Sequence, residues 1–394
     1  MQSVFLFALL AVNGWFFVTA LSNTLYFRRS TSTPRVKGGP FVSVIVPARN
    51  EEDSIAGCVG SLLKQDYADY EVIVVDDGST DATAKIVTAL QAGESRLRLV
   101  PAGTLPDGWL GKPHALSQGA AVARGEVLLF TDADTVHEPE SLSWAVTNLR
   151  DSRADILSGY LTQDYTALGD RVIVPVLYAM MLMVPLYLLP RTRNPRHSFA
   201  IGQYVVVRRE AFDGIGGLEA IKDSMVEDMS MASRMKELGY RNVFLDAKKA
   251  ASCRMYRGYR DAFEGIERPI YSAVGGRPVT VIALTVLASG VIVWPASSLI
   301  VPGLRFGVPA GPIAFSVVLF AVQWAVLVWD RNMPLVAFVL YPLVFLNLIL
   351  ILNASMLSTG FGPGVLWKGR RVRVPDGFAA APEECPADSA GKAK

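Results

Sequence analysis

Four long apolar stretches bracket a polar middle, and they constrain this chain more than any other feature. They run from Phe5 to Phe27, Val279 to Val301, Pro312 to Trp329 and Pro334 to Met356. As a helix, about 20 apolar residues cover the roughly 30 Å hydrocarbon core of a bilayer. Lipid offers no partner to a backbone N–H or C=O, so such runs must fold as helices that satisfy themselves. The residues between them must then form a separate, water-facing domain tethered at both ends. Composition agrees: the 394-residue chain is 51% hydrophobic with a mean hydropathy of +0.32, too apolar for an ordinary soluble enzyme.

The first stretch has no basic segment before it and no small-residue cleavage site after it. That predicts a retained anchor over residues 1–28 rather than a cleaved signal peptide. Arg28, Arg29, Arg35 and Lys37 follow directly. They predict that the domain behind them faces the cytoplasm, in the inner or plasma membrane. The C-terminal helices, residues 279–357, raise a counting problem. The short turn Asp330-Arg331-Asn332-Met333 predicts a hairpin between the last two, and three crossings put the tail outside. Yet the tail opens with Trp367-Lys368-Gly369-Arg370-Arg371-Val372-Arg373, a basic string that belongs inside. Either one late segment is re-entrant or interfacial, or the charge rule fails here. Residues 375–394, rich in Ala, Pro, Glu and Lys, are expected to be disordered.

The middle alternates strand-like and helix-like patterns. Phe41 to Val46, Glu71 to Val75, Leu97 to Val100 and Glu126 to Phe130 are apolar runs of strand length. Ser54 to Leu63, Asp81 to Leu90, Pro113 to Ala123 and Glu138 to Leu149 read as the helices between them. This predicts a mostly parallel α/β sheet that binds ligands beyond its C-terminal strand ends. Acidic clusters stand at two such ends, Asp76-Asp77 and Asp132-Ala133-Asp134, and a third, Glu227-Asp228, opens a helical pattern. Two carboxylates one residue apart suit Mg²⁺ or Mn²⁺, which leave most positions to water and phosphate oxygens. Lys112 stands just before a helix, where anions are favoured.

Val172 to Pro190 is apolar but holds three prolines. It reads as an interfacial helix or helix pair at the bilayer surface, offering a docking surface to a lipid, with a buried core helix as the alternative. The three cysteines and three histidines have no metal-ligand spacing, so a zinc site is not expected. A net charge of +2 gives no general attraction to nucleic acid.

Seven strings occur in order: VSVIVPARNEE, VIVVDDGSTD, GWLGKPHAL, LLFTDADT, GQYVVVRREAFDGIGG, VEDMSMASRMKELGY and CRMYRGY. Together they resemble the GT-A-fold, family 2 glycosyltransferases. Within that family, the Val226-Glu227-Asp228 string, the Arg254-to-Gly258 block and the flanking spans are most similar to membrane enzymes that glycosylate lipids. These include the ceramide, hopanoid-associated and carotenoid glycosyltransferases.

The resemblance implies an α/β, Rossmann-like GT-A domain over residues 40–278 between N- and C-terminal transmembrane helices. It implies that Asp134 binds the metal, with Asp132 contacting ribose or metal-bound water. Asp76 and Asp77 would read the nucleotide, with Pro47, Ala48, Arg49 and Glu51 around base and ribose. Lys112, Arg254 and Arg257 would meet the diphosphate, and Asp228 would be the base, oriented by Glu227. Gln203, which follows Gly202, and Tyr259 would face sugar or acceptor. Polymer-making relatives carry Gln-x-x-Arg-Trp, whereas here the string is Arg254-x-x-Arg257-Gly258-Tyr259, without the Trp.

The expected function is therefore inverting, metal-dependent transfer of a sugar to a hydroxyl of a membrane lipid, with UDP-glucose the expected donor. Processive polysaccharide synthesis, polyprenyl-phosphate sugar synthesis and a non-catalytic membrane scaffold are the alternatives.

Overall fold

The computed structural model describes residues 2–362, 365–367 and 370–372; the expected disorder of 375–394 lies outside them. The core strands are β1 (Val42–Ala48), β2 (Tyr70–Asp76), β3 (Leu97–Pro101) and β4 (Val127–Phe130), all parallel. Three of them are buried nearly throughout because helices cover both faces, which is why they read as unbroken apolar runs. On one face pack α2 (Ile55–Leu62), α3 (Thr83–Gln91) and α5 (Ser141–Asp151). On the other pack α4 (Gly111–Val122), α8 (Arg209–Gly214) and α9 (Glu227–Glu237).

The sheet continues through β8 (Val205–Arg208), β6 (Ile156–Tyr160) and β9 (Asn242–Asp246), in the order β3-β2-β1-β4-β8-β6-β9. Strand β8 is antiparallel to both neighbours, so the sheet is mixed rather than wholly parallel. A small second sheet pairs β5 (Thr135–His137), β10 (Ala251–Cys253) and β7 (Thr162–Gln163), and it brings Cys253 opposite Thr135.

The proline-rich apolar segment is a chain of short turns, not one helix. It runs through α6 (Asp170–Ile173), a 3₁₀ turn Val174–Tyr178, α7 (Met180–Met183) and a second 3₁₀ turn Leu186–Arg191. Each proline removes a donor and crowds the preceding turn. The segment packs on α1 (Gln2–Ser30), where Asn23 Nδ2 donates to the carbonyls of Met181 and Val184 at 2.9 Å each. Asn23 Oδ1 accepts from the Tyr187 N–H at 3.1 Å. Tyr178, Met181, Leu182, Leu186 and Leu189 thereby enter a core shared with the membrane helices.

After β10 come α10 (Tyr259–Ala273), α11 (Pro278–Ala288), α12 (Trp294–Ile300), α13 (Ala310–Asp330), α14 (Leu335–Val339) and α15 (Tyr341–Ser355). Among the described residues four stretches are long and apolar enough to cross a membrane: Leu6–Ser30, Pro278–Ile300, Ala310–Asp330 and Tyr341–Gly360. Helices α1 and α13 lie side by side, joined by Asn13 Nδ2 to Ser316 Oγ at 3.0 Å near one end and Arg28 to Asp330 at 3.5 Å near the other. The Asp330 end abuts the sheet domain: Lys248 Nζ donates to the Asp330 carbonyl at 2.7 Å.

The last apolar stretch does not continue away from the domain. Its α14 dips beside α13 until Trp324 Nε1 donates to the Ala337 carbonyl and Tyr341 meets Phe320. Its α15 then runs alongside α10: Tyr259 Oη donates to Asn347 Oδ1 at 2.8 Å, and Ser358 Oγ to Glu267 Oε1 at 2.7 Å. Helix α10 carries Arg260, Asp261, Glu264, Glu267 and Arg268, a charge density that bilayer hydrocarbon excludes. Both ends of the 334–360 stretch thus lie close to the domain, the arrangement a re-entrant segment would have. In sealed vesicles of a Cys385→Ser background, an impermeant maleimide should label Phe361→Cys and Lys64→Cys from one side and Leu304→Cys from the other. Labelling of Phe361→Cys together with Leu304→Cys would show a true fourth crossing instead.

Candidate active site

Parallel pairing puts Ala48 opposite Asp76, so the chain leaves β1 and β2 at the same level. Just beyond, Arg49 Nη1 donates to the Asp77 carbonyl and pairs with Asp77 Oδ2 at 3.7 Å. Gly78 at φ +69° makes the turn that frees this edge, and the Ser79 N–H donates to Asp76 Oδ1 at 3.2 Å. Glu51 accepts from Ser54 Oγ at 2.9 Å, while Pro47 and Ala48 lie within β1 itself. Residues 47–51 and 76–77 therefore form one rim.

Asp132 and Asp134 follow β4, the neighbouring strand. Burial, then the Asp132 charge, push the Asp134 carboxyl well above its usual range. Cys253 Sγ donates to Asp134 Oδ1 at 3.3 Å. Burial and these two carboxylates hold that thiol far above its own ordinary value, so it stays neutral and a donor. Among the described residues no three or more His, Cys, Asp or Glu side chains group as a metal site. Two carboxylates fit a hard divalent cation that keeps positions for water and phosphate; they do not fit a closed zinc site.

The third acidic cluster arrives from a distant part of the chain. Glu227 and Asp228 open α9, and the Met229 N–H donates to Asp228 Oδ1 at 2.7 Å. Lys112, in the first turn of α4, joins the clusters: its Nζ lies 2.8 Å from Asp132 Oδ1 and 2.8 Å from Glu227 Oε1. Burial lowers the Lys112 ammonium, but Asp132, Glu227 and Asp228 more than offset it and hold it well above the usual lysine range. Burial, then Glu227, push Asp228 up to about 7. Gly202 closes the space between them: a Cβ there would stand 2.9 Å from Lys112 Nζ and 3.4 Å from Asp228 Oδ2.

Asp228 also lines a cavity of about 1180 Å³. One wall is the 176–184 turns, and the far wall is one face of α11 (Thr280, Leu284, Leu287) and one of α15 (Phe345, Leu348, Leu352). The cavity thus reaches from Asp228 to the apolar faces of α11 and α15.

The remaining predicted residues divide. Gln203 lines this cavity, although its amide is engaged at both ends by Gln163 and Cys253. The Arg254 N–H donates to the Asp134 carbonyl at 3.4 Å, placing that residue beside the candidate metal ligand, while its guanidinium reaches Thr166 Oγ1. Arg257 pairs with Asp53 at 2.7 Å, on the same side as the 47–51 rim. Tyr259 does not line the cavity: starting α10 after Gly258 at φ +100° turns it toward Asn347. Tyr256 lines it instead. Sequence reading missed Tyr256, although it lies inside the CRMYRGY string, and Gln163, which no motif marks.

Residues 43–216 match the family model described as Glycosyl transferase family 2. Glycosyltransferase GlyG of Streptococcus pneumoniae is 30% identical over 118 residues, 30% of this chain and 38% of that protein. The 4,4'-diaponeurosporenoate glycosyltransferase of Staphylococcus aureus is 25% identical over 266 residues, 62% of this chain and 65% of that protein. The chain thus spans less than two thirds of either relative. The solved mannosyltransferase PcManGT of Pyrobaculum calidifontis, in complex with GDP-Man and Mn²⁺, superposes with a TM-score of 0.56 at 21% identity, covering 91% of this chain and 98% of that one. That likeness concerns the fold alone. The order of motifs, the mixed sheet and these matches converge on one assignment: the chain carries a family 2 glycosyltransferase domain on a GT-A-like fold, joined to helices long and apolar enough to cross a membrane.

Proposed function

We propose that the protein transfers a sugar, with inversion, from a nucleotide donor to a hydroxyl of a membrane lipid. The observation that carries this reading is the cavity joining Asp228 to the inward faces of α11 and α15. A water-soluble acceptor has no use for walls of Leu, Ile and Met, whereas a lipid headgroup delivered from the bilayer meets Asp228 at the polar end.

In this mechanism the nucleotide lies along the 47–51 and 76–77 rim. Asp77 and Arg49 hold the base and ribose end; Lys112, Arg254 and Arg257 offer positive charge to the diphosphate. Asp132 and Asp134 would hold Mg²⁺ or Mn²⁺, which supplies charge neutralisation for the departing nucleoside diphosphate. The neighbour solved with GDP-Man and Mn²⁺ is consistent with this donor class. Asp228 takes the proton of the acceptor hydroxyl as its oxygen bonds to the anomeric carbon and the bond to the diphosphate breaks. Glu227 and Lys112 orient Asp228 and keep the cluster's charge in check. UDP-glucose is the proposed donor, and the cytoplasmic side of the inner or plasma membrane the proposed place of reaction.

The test uses purified protein in detergent with Mn²⁺, radiolabelled nucleotide sugars including UDP-glucose, and total lipid from its host. Label should enter the organic phase, with inverted anomeric configuration in the product. Label confined to water-soluble polymer would point to a polysaccharide synthase, and a retained configuration would rule out direct displacement.

A further inference from the structure

One buried polar group in the cavity is left open by a chain of bonds that starts at the metal carboxylates. Cys253 Sγ donates to Asp134 Oδ1 at 3.3 Å. Having given its proton, that sulfur can only accept, and Gln203 Nε2 donates to it at 3.2 Å. Gln203 is then turned with its Oε1 outward, and Gln163 Nε2 donates there at 3.0 Å. Each amide is thus oriented by the one before it. The last in line presents Gln163 Oε1, which has no hydrogen-bond partner among the described residues although Gln163 is only 8% exposed. Gln163, Gln203 and Asp228 all line the one cavity. The Tyr160 hydroxyl lines it too, at 3% exposure and likewise without a partner among the described residues.

A buried acceptor without a donor is costly, and a bound ligand is the natural remedy. Asp228 takes the one hydrogen that the reacting hydroxyl carries, so it cannot also serve Gln163. We infer that Gln163 selects acceptors whose headgroup bears a second O–H or N–H donor, which its Oε1 receives, beside the hydroxyl that attacks. This rests on the lipid-hydroxyl reading above and narrows it. Diol or hydroxy-amide headgroups fit the site; simple alcohols leave Oε1 unpaired, and carboxylate or phosphate acceptors place charge against it.

The full-length protein is assayed in mixed micelles with 1-oleoylglycerol, which has two hydroxyls, and oleyl alcohol, which has one. Host lipid extract is run in parallel, and Gln163→Met is compared with the native chain. Calorimetric binding of Mn²⁺–UDP reports that the variant is folded. The native protein should favour the diol by about 10- to 100-fold in kcat/KM. In Gln163→Met that ratio should collapse to about one, with the KM for host lipid raised by a similar factor. An equal preference in both proteins, or none in the native one, overturns the inference. So does host lipid labelled at the same KM by both. If the native protein labels no lipid at all, the lipid-transferase reading falls first and takes this inference with it.

Discussion

Asp228→Asn should lower kcat by about 10²- to 10⁴-fold, the usual worth of a positioned general base. The substitution keeps the shape, and the asparagine carbonyl can still accept from the Met229 N–H that bonds Oδ1 in the native chain. Nucleotide binding should survive, because the rim at residues 47–51 and 76–77 belongs to other strands. The pH profile provides a second readout. A base works only when deprotonated, and burial with Glu227 raises Asp228 to about 7. Native kcat/KM should therefore climb as pH rises through about 7 and level off above it, while the variant loses this limb. A variant retaining half the native rate would remove Asp228 as the base. It would favour an acceptor that is already an anion, as a polyprenyl phosphate is.

The second large effect is expected far from the chemistry. The Arg331 side chain is only 1% exposed, and it grips Asp246 at the end of β9 through two bonds of 2.9 and 2.8 Å. Its Nε donates to Asp330 at 3.0 Å, and its guanidinium lies 5.6 Å from the Phe27 ring centre. One side chain thus ties the sheet domain to α1 and α13. Arg331→Leu removes the buried cation and leaves the Asp246 and Asp330 carboxylates only the longer ion pairs with Lys248, at 3.5 and 3.8 Å, and that of Asp330 with Arg28. Breaking a buried pair from one side costs about 3–5 kcal/mol. The thermal midpoint in detergent should fall by roughly 5 °C or more. Replacing Asp246 and Asp330 by Asn in the same chain should recover part of the loss, because the stranded charges are then gone. A midpoint unchanged by Arg331→Leu would mean that water reaches this junction.

Much of the proposed donor site is legible in the sequence because it is local. The apolar run Val127–Phe130 ends in Asp132 and Asp134 within four residues, and strand ends are where a parallel sheet opens. The meeting of the Asp132 and Glu227 clusters is not local. Lys112, Gly202 and Glu227 are far apart in the chain, and only the sheet order brings them to one point. The Val172–Pro190 stretch announces its apolarity and its prolines, but not that Asn23 of α1 would satisfy its broken backbone. Length and hydropathy make 341–360 look like the other spans. What bends its path back are Asn347, Ser355 and Ser358, whose partners lie in α10 or near α6. Gln163 carries no signal at all, since its meaning comes from the orientation of Gln203 and Cys253.

The cavity's divided walls have a consequence for engineering. Residues before 277 supply Asp228, the proposed base, and the 176–184 wall, and residues after it supply the faces of α11 and α15. A soluble fragment cut ahead of Pro278 would keep the nucleotide rim whole and hold only half an acceptor mould. Conversely, grafting the α11–α15 block from a relative would import the donor helices' shape preference wholesale. On the proposed function, choice of lipid and choice of sugar would then be exchangeable as two separate modules, with Asp228 at the seam.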